Sequence, residues 1–167
     1  MTPRTHKALG VFTDMLQVGK SSGFDMPSTK DLKTLKDNVK PTDYKGKWLA
    51  LFFYPLDFTF VCPTELKAFS DLMINSKAGA EVLAISLPTV FTARAWINPA
   101  NLKVDWDQST TFSLQTSPKM SAAICVLMED KGVALRGLFI IDQDGVLQYQ
   151  VVHSSTSALR RRNPPRT

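Results

Sequence analysis

The sequence predicts an α/β domain with a central mixed sheet flanked by helices, and three observations carry that expectation. Trp48-Leu49-Ala50-Leu51-Phe52-Phe53-Tyr54 is a continuous apolar run bounded by Lys47 and Pro55, the pattern of a strand buried on both faces. A segment with helical spacing follows it, and then a second apolar strand, Glu81-Val82-Leu83-Ala84-Ile85-Ser86; a strand, helix, strand crossover of this length implies parallel neighbours. Further on, two strand-like segments flank Asp142-Gln143-Asp144-Gly145, a turn sequence that makes them an antiparallel hairpin.

Taken in chain order, residues 1–47 are polar and lysine-rich, with turn signals at Gly19, Gly23, Pro27, Pro41 and Gly46, and read as extended or loop segments leading into the domain. After the strand at 48–54 comes a loop over 55–61. Pro63-Thr64-Glu65 then opens a helix with apolar positions Leu66, Phe69, Leu72 and Met73; its start falls at Cys62 or Pro63, because proline is favoured in the first helical turn. A second helix containing Phe91, Ala95 and Trp96 follows the strand at 81–86. The stretch 98–118 has no clear period and reads as irregular. Beyond it, 123–128 and 138–141 are apolar strands, and 146–152 completes the hairpin. From His153 onward the apolar side chains are Ala158 and Leu159, too few to bury a face. The chain thus divides into an N-terminal extension and lead-in (1–43), a folded domain (44–152) and a basic tail expected to be disordered (153–167).

Composition narrows the function classes. A chain of 167 residues with 44% hydrophobic and 21% charged residues suits one globular domain. No apolar run approaches the roughly 20 residues of a membrane-spanning helix, so no membrane partner is expected. The net charge of +5 lies chiefly in Arg160, Arg161, Arg162 and Arg166, and the rest of the chain is close to neutral. No aromatic residues are interleaved there to stack on bases, so the tail reads as a solvated basic segment and no specific nucleic acid is expected. Two cysteines, Cys62 and Cys125, are too few for a disulfide framework and point to a reducing compartment. His6 and His153 stand near opposite ends, so local spacing assembles neither a zinc site nor a Ser-His-Asp triad.

The informative stretch is Phe53-Tyr54-Pro55-Leu56-Asp57-Phe58-Thr59-Phe60-Val61-Cys62-Pro63-Thr64-Glu65-Leu66. It places a cysteine after a buried strand and loop, at the start of a helix. First-turn amides lack internal acceptors and carry the positive end of the helix dipole, which favours a thiolate there. Thr59, three residues earlier, can hydrogen-bond the sulfur or a bound oxygen, and could equally cap the loop. Pro55 can shield the site from water. Arg136, in Val133-Ala134-Leu135-Arg136-Gly137-Leu138, begins a buried strand, where an arginine is costly unless paired. Its charge would favour a thiolate at Cys62 and stabilise a departing oxygen; the competing reading is an arginine paired with an acid. Glu65 sits where a first-turn acid is favourable and reads as supporting. Trp96 reads as packing.

These two segments, FFYPLDFTFVCPTEL and GVALRGLFIID, resemble the active-site signature of the peroxiredoxins, nearest the typical two-cysteine class that includes the bacterial alkyl hydroperoxide reductase peroxidase subunit. The resemblance covers roughly 44–152. It implies a thioredoxin-like fold, with Cys62 as the peroxidatic cysteine, Thr59 and Pro55 as the loop residues framing it, and Arg136 as the arginine that polarises the peroxide. Glu65 matches the acid after Cys-Pro-Thr, and Trp96 an aromatic near the site. The implied activity is thiol-dependent reduction of hydrogen peroxide and small alkyl hydroperoxides, with no cofactor and no metal. Implied partners are the peroxide, an external thiol reductant and further copies of the chain as a homodimer or higher oligomer, in the cytoplasm; the absence of an acid before Asp14 leaves organelle targeting open.

Three departures from that family pattern stand out. The resolving cysteine in a Cys-Pro setting and the last amphipathic helix are missing from 153–167, and Val104-Asp105-Trp106-Asp107 replaces a glycine-containing turn. Cys125, in an apolar run, reads as a small core residue rather than a resolving thiol. The alternative expectation is therefore a truncated, catalytically impaired homologue acting as a chaperone-like or interaction protein.

Overall fold

The computed structural model describes residues 17–59, 62–75, 79–97, 111–116 and 126–154. Two short strands, β1 (Met26–Pro27) and β2 (Asn38–Val39), pair antiparallel, and a 3-10 turn at Pro41–Tyr44 leads to β3 (Trp48–Phe53). Helix α1 (Cys62–Asn75), strand β4 (Ala80–Ser86) and helix α2 (Val90–Trp96) follow. Then come β5 (Thr111–Gln115), β6 (Leu127–Met128), β7 (Val133–Ala134), β8 (Arg136–Ile141) and β9 (Leu147–His153). Five of these strands form one sheet in the order β5-β4-β3-β8-β9.

The expected mixed sheet is present. β3 runs parallel to β4, with Leu51 opposite Leu83, and antiparallel to β8, with Leu51 opposite Phe139. Its apolar run is explained by two buried faces, since side chains alternate across the sheet. Leu49, Leu51 and Phe53 join one cluster with Leu83, Ile85, Phe139 and Ile141. Phe52 and Tyr54 join the other, with Leu66 of α1 and Trp96 of α2. The helix begins at Cys62, one of the two starts that the proline signal allows. Thr89 caps α2 by accepting a hydrogen bond from the Thr92 amide at 3.2 Å.

The first cluster is closed partly by the lead-in segment. Phe24, Met26 and Val39 are buried in it, and the segment is tied to the β8–β9 turn by the Ser22 amide donating to the Gly145 carbonyl at 2.8 Å. The hairpin turn forms as expected. Asp142 Oδ1 accepts from the amides of Asp144 (3.0 Å) and Val146 (2.9 Å), and Gly145 supplies the positive φ of 84° that the turn needs.

Two expectations are corrected. The stretch 98–118, expected to be irregular, contains β5, which pairs in parallel with β4 from Val82↔Thr111 to Ser86↔Gln115. An edge strand has a neighbour on one side, so Thr-Phe-Ser-Leu-Gln can serve without the continuous apolar run that marks β3. Of the strand expected at 123–128, residues 126–128 are described, and 127–128 form β6, which pairs with β7 in a separate two-stranded hairpin rather than in the main sheet. Cys125, the 104–107 turn and the tail beyond Ser154 lie outside the described residues. Among the described residues, no helix is long and apolar enough to cross a membrane.

Candidate active site

Cys62 is the first residue of α1 and is 1% exposed. The chain reaches it from the C-terminal end of β3. The Tyr54 amide still donates to the Ile85 carbonyl at 3.0 Å, which pins the loop's first residue to the sheet, and Pro55 is buried beside it.

Arg136 arrives from the neighbouring strand. Gly137 pairs with Phe53, so Arg136 stands one residue past the end of β3, at the edge from which the Cys62 loop departs. A Cβ at Gly137 would lie 2.9 Å from Phe139 Cε2 and 3.2 Å from Val126 Cγ1 in a packed core, so the position favours glycine. Residues three apart on a helix share a face, so Cys62 and Glu65 present their side chains to the same partner. That partner is Arg136. Its Nε donates to Glu65 Oε2 at 3.1 Å and Oε1 at 3.3 Å, and its Nη2 lies 3.7 Å from Cys62 Sγ.

Both charges of this pair are buried, Glu65 at 2% and Arg136 at 6% exposed. Desolvating them is costly, and their mutual attraction at salt-bridge distance offsets it. The two readings of Arg136 therefore coincide: it is paired with an acid and it faces the sulfur. A planar guanidinium suits this double duty, because its nitrogens point in fixed and different directions. Positive charge beside the sulfur can stabilise an oxygen leaving with an electron pair.

The other sequence-expected residues are placed as follows. Trp96 ends α2, is 2% exposed, and packs on Tyr54 with ring centroids 5.7 Å apart, in the cluster that holds Cys62. It is a wall of the site. Thr59 is partly exposed, and its hydroxyl donates to the Leu56 carbonyl at 3.2 Å, the loop-capping arrangement.

Sequence reasoning passed over Asp57. Its carboxyl is 7% exposed; Oδ1 accepts a hydrogen bond from the Tyr54 hydroxyl at 2.8 Å, while Oδ2 is buried with no partner among the described residues. Burial pushes this carboxyl up to about 6, against the Tyr54 hydrogen bond, which pulls it down. The signal was present as a single acid set between Leu56 and Phe58 in an otherwise apolar and aromatic loop.

Known proteins resemble this chain in sequence and in fold. The AhpC/TSA family profile matches residues 23–150. Mouse peroxiredoxin-2 is 42% identical over 147 residues, covering 82% of this chain and 70% of its own length. The chloroplastic 2-Cys peroxiredoxin BAS1 of spinach is 41% identical over 145 residues, covering 84% of this chain and 54% of its own length. The crystal structure of the reduced Plasmodium vivax 2-Cys peroxiredoxin superposes with a TM-score of 0.73 at 28% identity, over 86% of this chain and 75% of that one. With three quarters of its residues inside the family match and its fold shared with a solved member, the chain belongs to the AhpC/TSA family, the peroxiredoxins.

Proposed function

We propose that the thiol-dependent peroxidase activity of this family runs, in this chain, through Cys62 as nucleophile and Arg136 as the charge that steadies the departing oxygen. The observation that carries the assignment is the 3.7 Å approach of Arg136 Nη2 to Cys62 Sγ, with the guanidinium held on Glu65. Relatives at 41–46% identity do not favour the non-enzymatic alternative.

The Cys62 thiolate attacks one oxygen of a hydroperoxide. As the S–O bond forms the O–O bond breaks, its electron pair leaving on the distal oxygen, which takes a proton and departs as water or alcohol. Cys62 is left as a sulfenic acid. One thiol condenses with it, releasing water and forming a mixed disulfide; a second thiol releases Cys62 and leaves as the disulfide of the reductant. The sum is one peroxide reduced and two thiols oxidised. Pro55 and Trp96 shield the site, Thr59 holds the loop through Leu56, and Glu65 positions Arg136. The reductant is an external thiol, small or protein-borne, the chain works as a homodimer or higher oligomer, and its compartment is a reducing one such as the cytoplasm.

Peroxide consumption with excess dithiothreitol tests the assignment. Wild type and Cys125→Ser are expected to consume hydrogen peroxide at similar rates and Cys62→Ser to fall to the reagent background; a Cys62→Ser protein that keeps the wild-type rate would overturn it.

A further inference from the structure

The sheet face that carries the reacting sulfur continues past Arg136. Phe139 and Ile141 of β8 are buried in the first cluster, so the alternating residues Arg136, Leu138 and Ile140 point to the opposite face, the one shared by Cys62, Leu66 and Trp96. Directly paired residues lie on the same side of a sheet, which extends this face onto the edge strand β9: Leu138 stands opposite Val151 and Ile140 opposite Tyr149. Leu138, Ile140 and Val151 are half-buried, and Tyr149 is 49% exposed. Helix α1 packs over β4 and meets β8 at Arg136, through Glu65. An uncharged stripe two strands wide therefore starts at Arg136 and runs along β8 to Ile140, about 13 Å at the usual rise per residue.

We propose that the stripe formed by Leu138, Ile140, Tyr149 and Val151 is a subsite for the alkyl chain of a long-chain primary hydroperoxide, and that it makes such peroxides better substrates than hydrogen peroxide. The direction of the reaction carries the argument. The Cys62 thiolate bonds to the terminal oxygen of the hydroperoxide, the O–O bond breaks, and the oxygen that keeps the alkyl group leaves with the electron pair, takes a proton and departs as the alcohol. Arg136 is the charge that steadies that oxygen, with Nη2 at 3.7 Å from Cys62 Sγ. The alkyl chain thus begins at the residue where the stripe begins. A length of about 13 Å receives an extended chain of about ten carbons, and the half-buried side chains give it apolar surface without a charged group to desolvate.

The inference rests on the assignment of Cys62 and Arg136, and a homologous series separates the two. Oxidation of Cys62 by hydrogen peroxide and by n-butyl, n-hexyl, n-octyl and n-decyl hydroperoxide, each below saturation and below micelle formation, is read at the Cys62 peptide by rapid-quench mass spectrometry. A methylene taken wholly out of water is worth about fourfold in binding and one lying on an open face about twofold, so the rate constant is expected to rise about 60-fold from butyl to decyl. Tyr149→Asp sets a charge in the stripe and is expected to lower the ratio of the decyl rate to the hydrogen peroxide rate about tenfold or more, because the chain would then desolvate a carboxylate. Gln150→Asp sets the same charge one residue on, where pairing with Phe139 places it on the opposite face, and is expected to keep the wild-type ratio. The ratio is taken within one protein, so a general loss of reactivity cancels, and the wild-type series stands should a variant not fold. Rates that are flat with chain length while hydrogen peroxide oxidises Cys62 would overturn the subsite alone; a Cys62 that hydrogen peroxide leaves unoxidised would overturn the assignment beneath it as well. A Tyr149→Asp protein that changes its oligomeric state on size exclusion but keeps the ratio would give the face to a second copy of the chain and overturn the proposal.

Discussion

Arg136 Nη2 lies 3.7 Å from Cys62 Sγ, although 74 residues separate them in the chain. The contact depends on three local facts: helix α1 starts at the cysteine, β8 starts at the arginine, and Gly137, the next residue, pairs with Phe53 at the end of β3. The sulfur, at the start of the helix, is thus met by a guanidinium that arrives from the sheet.

Replacing Arg136 with lysine keeps the charge and loses the fork. An ammonium cannot hold Glu65 and face the sulfur with separate, fixed donors. Arg136→Lys is expected to slow the oxidation of Cys62 by hydrogen peroxide about 100-fold, the scale of losing one oriented donor to a developing oxyanion. Rapid-quench mass spectrometry of Cys62 measures it, and an unchanged rate would remove Arg136 from the reaction.

Glu65→Ala leaves the buried guanidinium without its counter-charge. Breaking one side of a buried pair costs about 3–5 kcal/mol, and urea unfolding of wild type and variant at pH 7 reads it directly. A loss under about 1 kcal/mol, the scale of an exposed pair, would show that the pair is not buried in solution.

Asp57 makes stability fall as pH rises. Its folded value of about 6 lies above its ordinary 3.8, so the folded state binds the proton more tightly. The stabilisation is fully present below pH 3.8 and is lost as pH rises through about 6. Asp57→Asn, neutral throughout, is expected to gain on wild type by about 2–3 kcal/mol between pH 4 and pH 7.5. Parallel stability curves over that interval would contradict the assignment.

Much of this arrangement was legible in the sequence. The apolar run of β3, a helix start at Cys62 or Pro63, the turn at Asp142 to Gly145 and the candidacy of Cys62 and Arg136 follow from local patterns of period, charge and turn chemistry, and the family resemblance added Glu65. The elements that were not legible depend on tertiary neighbours. β5 is a strand because β4 offers it an edge, and nothing in its own period says so. Phe24, Met26 and Val39 are spaced among lysines and turn residues, so their place in the core emerges only when the segment folds back onto the β8–β9 turn. The sequence says that Arg136 needs a partner, but only the fold shows that the acid is Glu65. Asp57 drew no reading from the sequence, and its burial against Tyr54 sets it apart.

Trapping the sulfenic acid tests the central claim most directly. Purified protein treated with one equivalent of hydrogen peroxide and then dimedone is predicted to carry the label on Cys62 as the main product. A protein that stays unlabelled at Cys62, or that is labelled instead at Cys125, would contradict it.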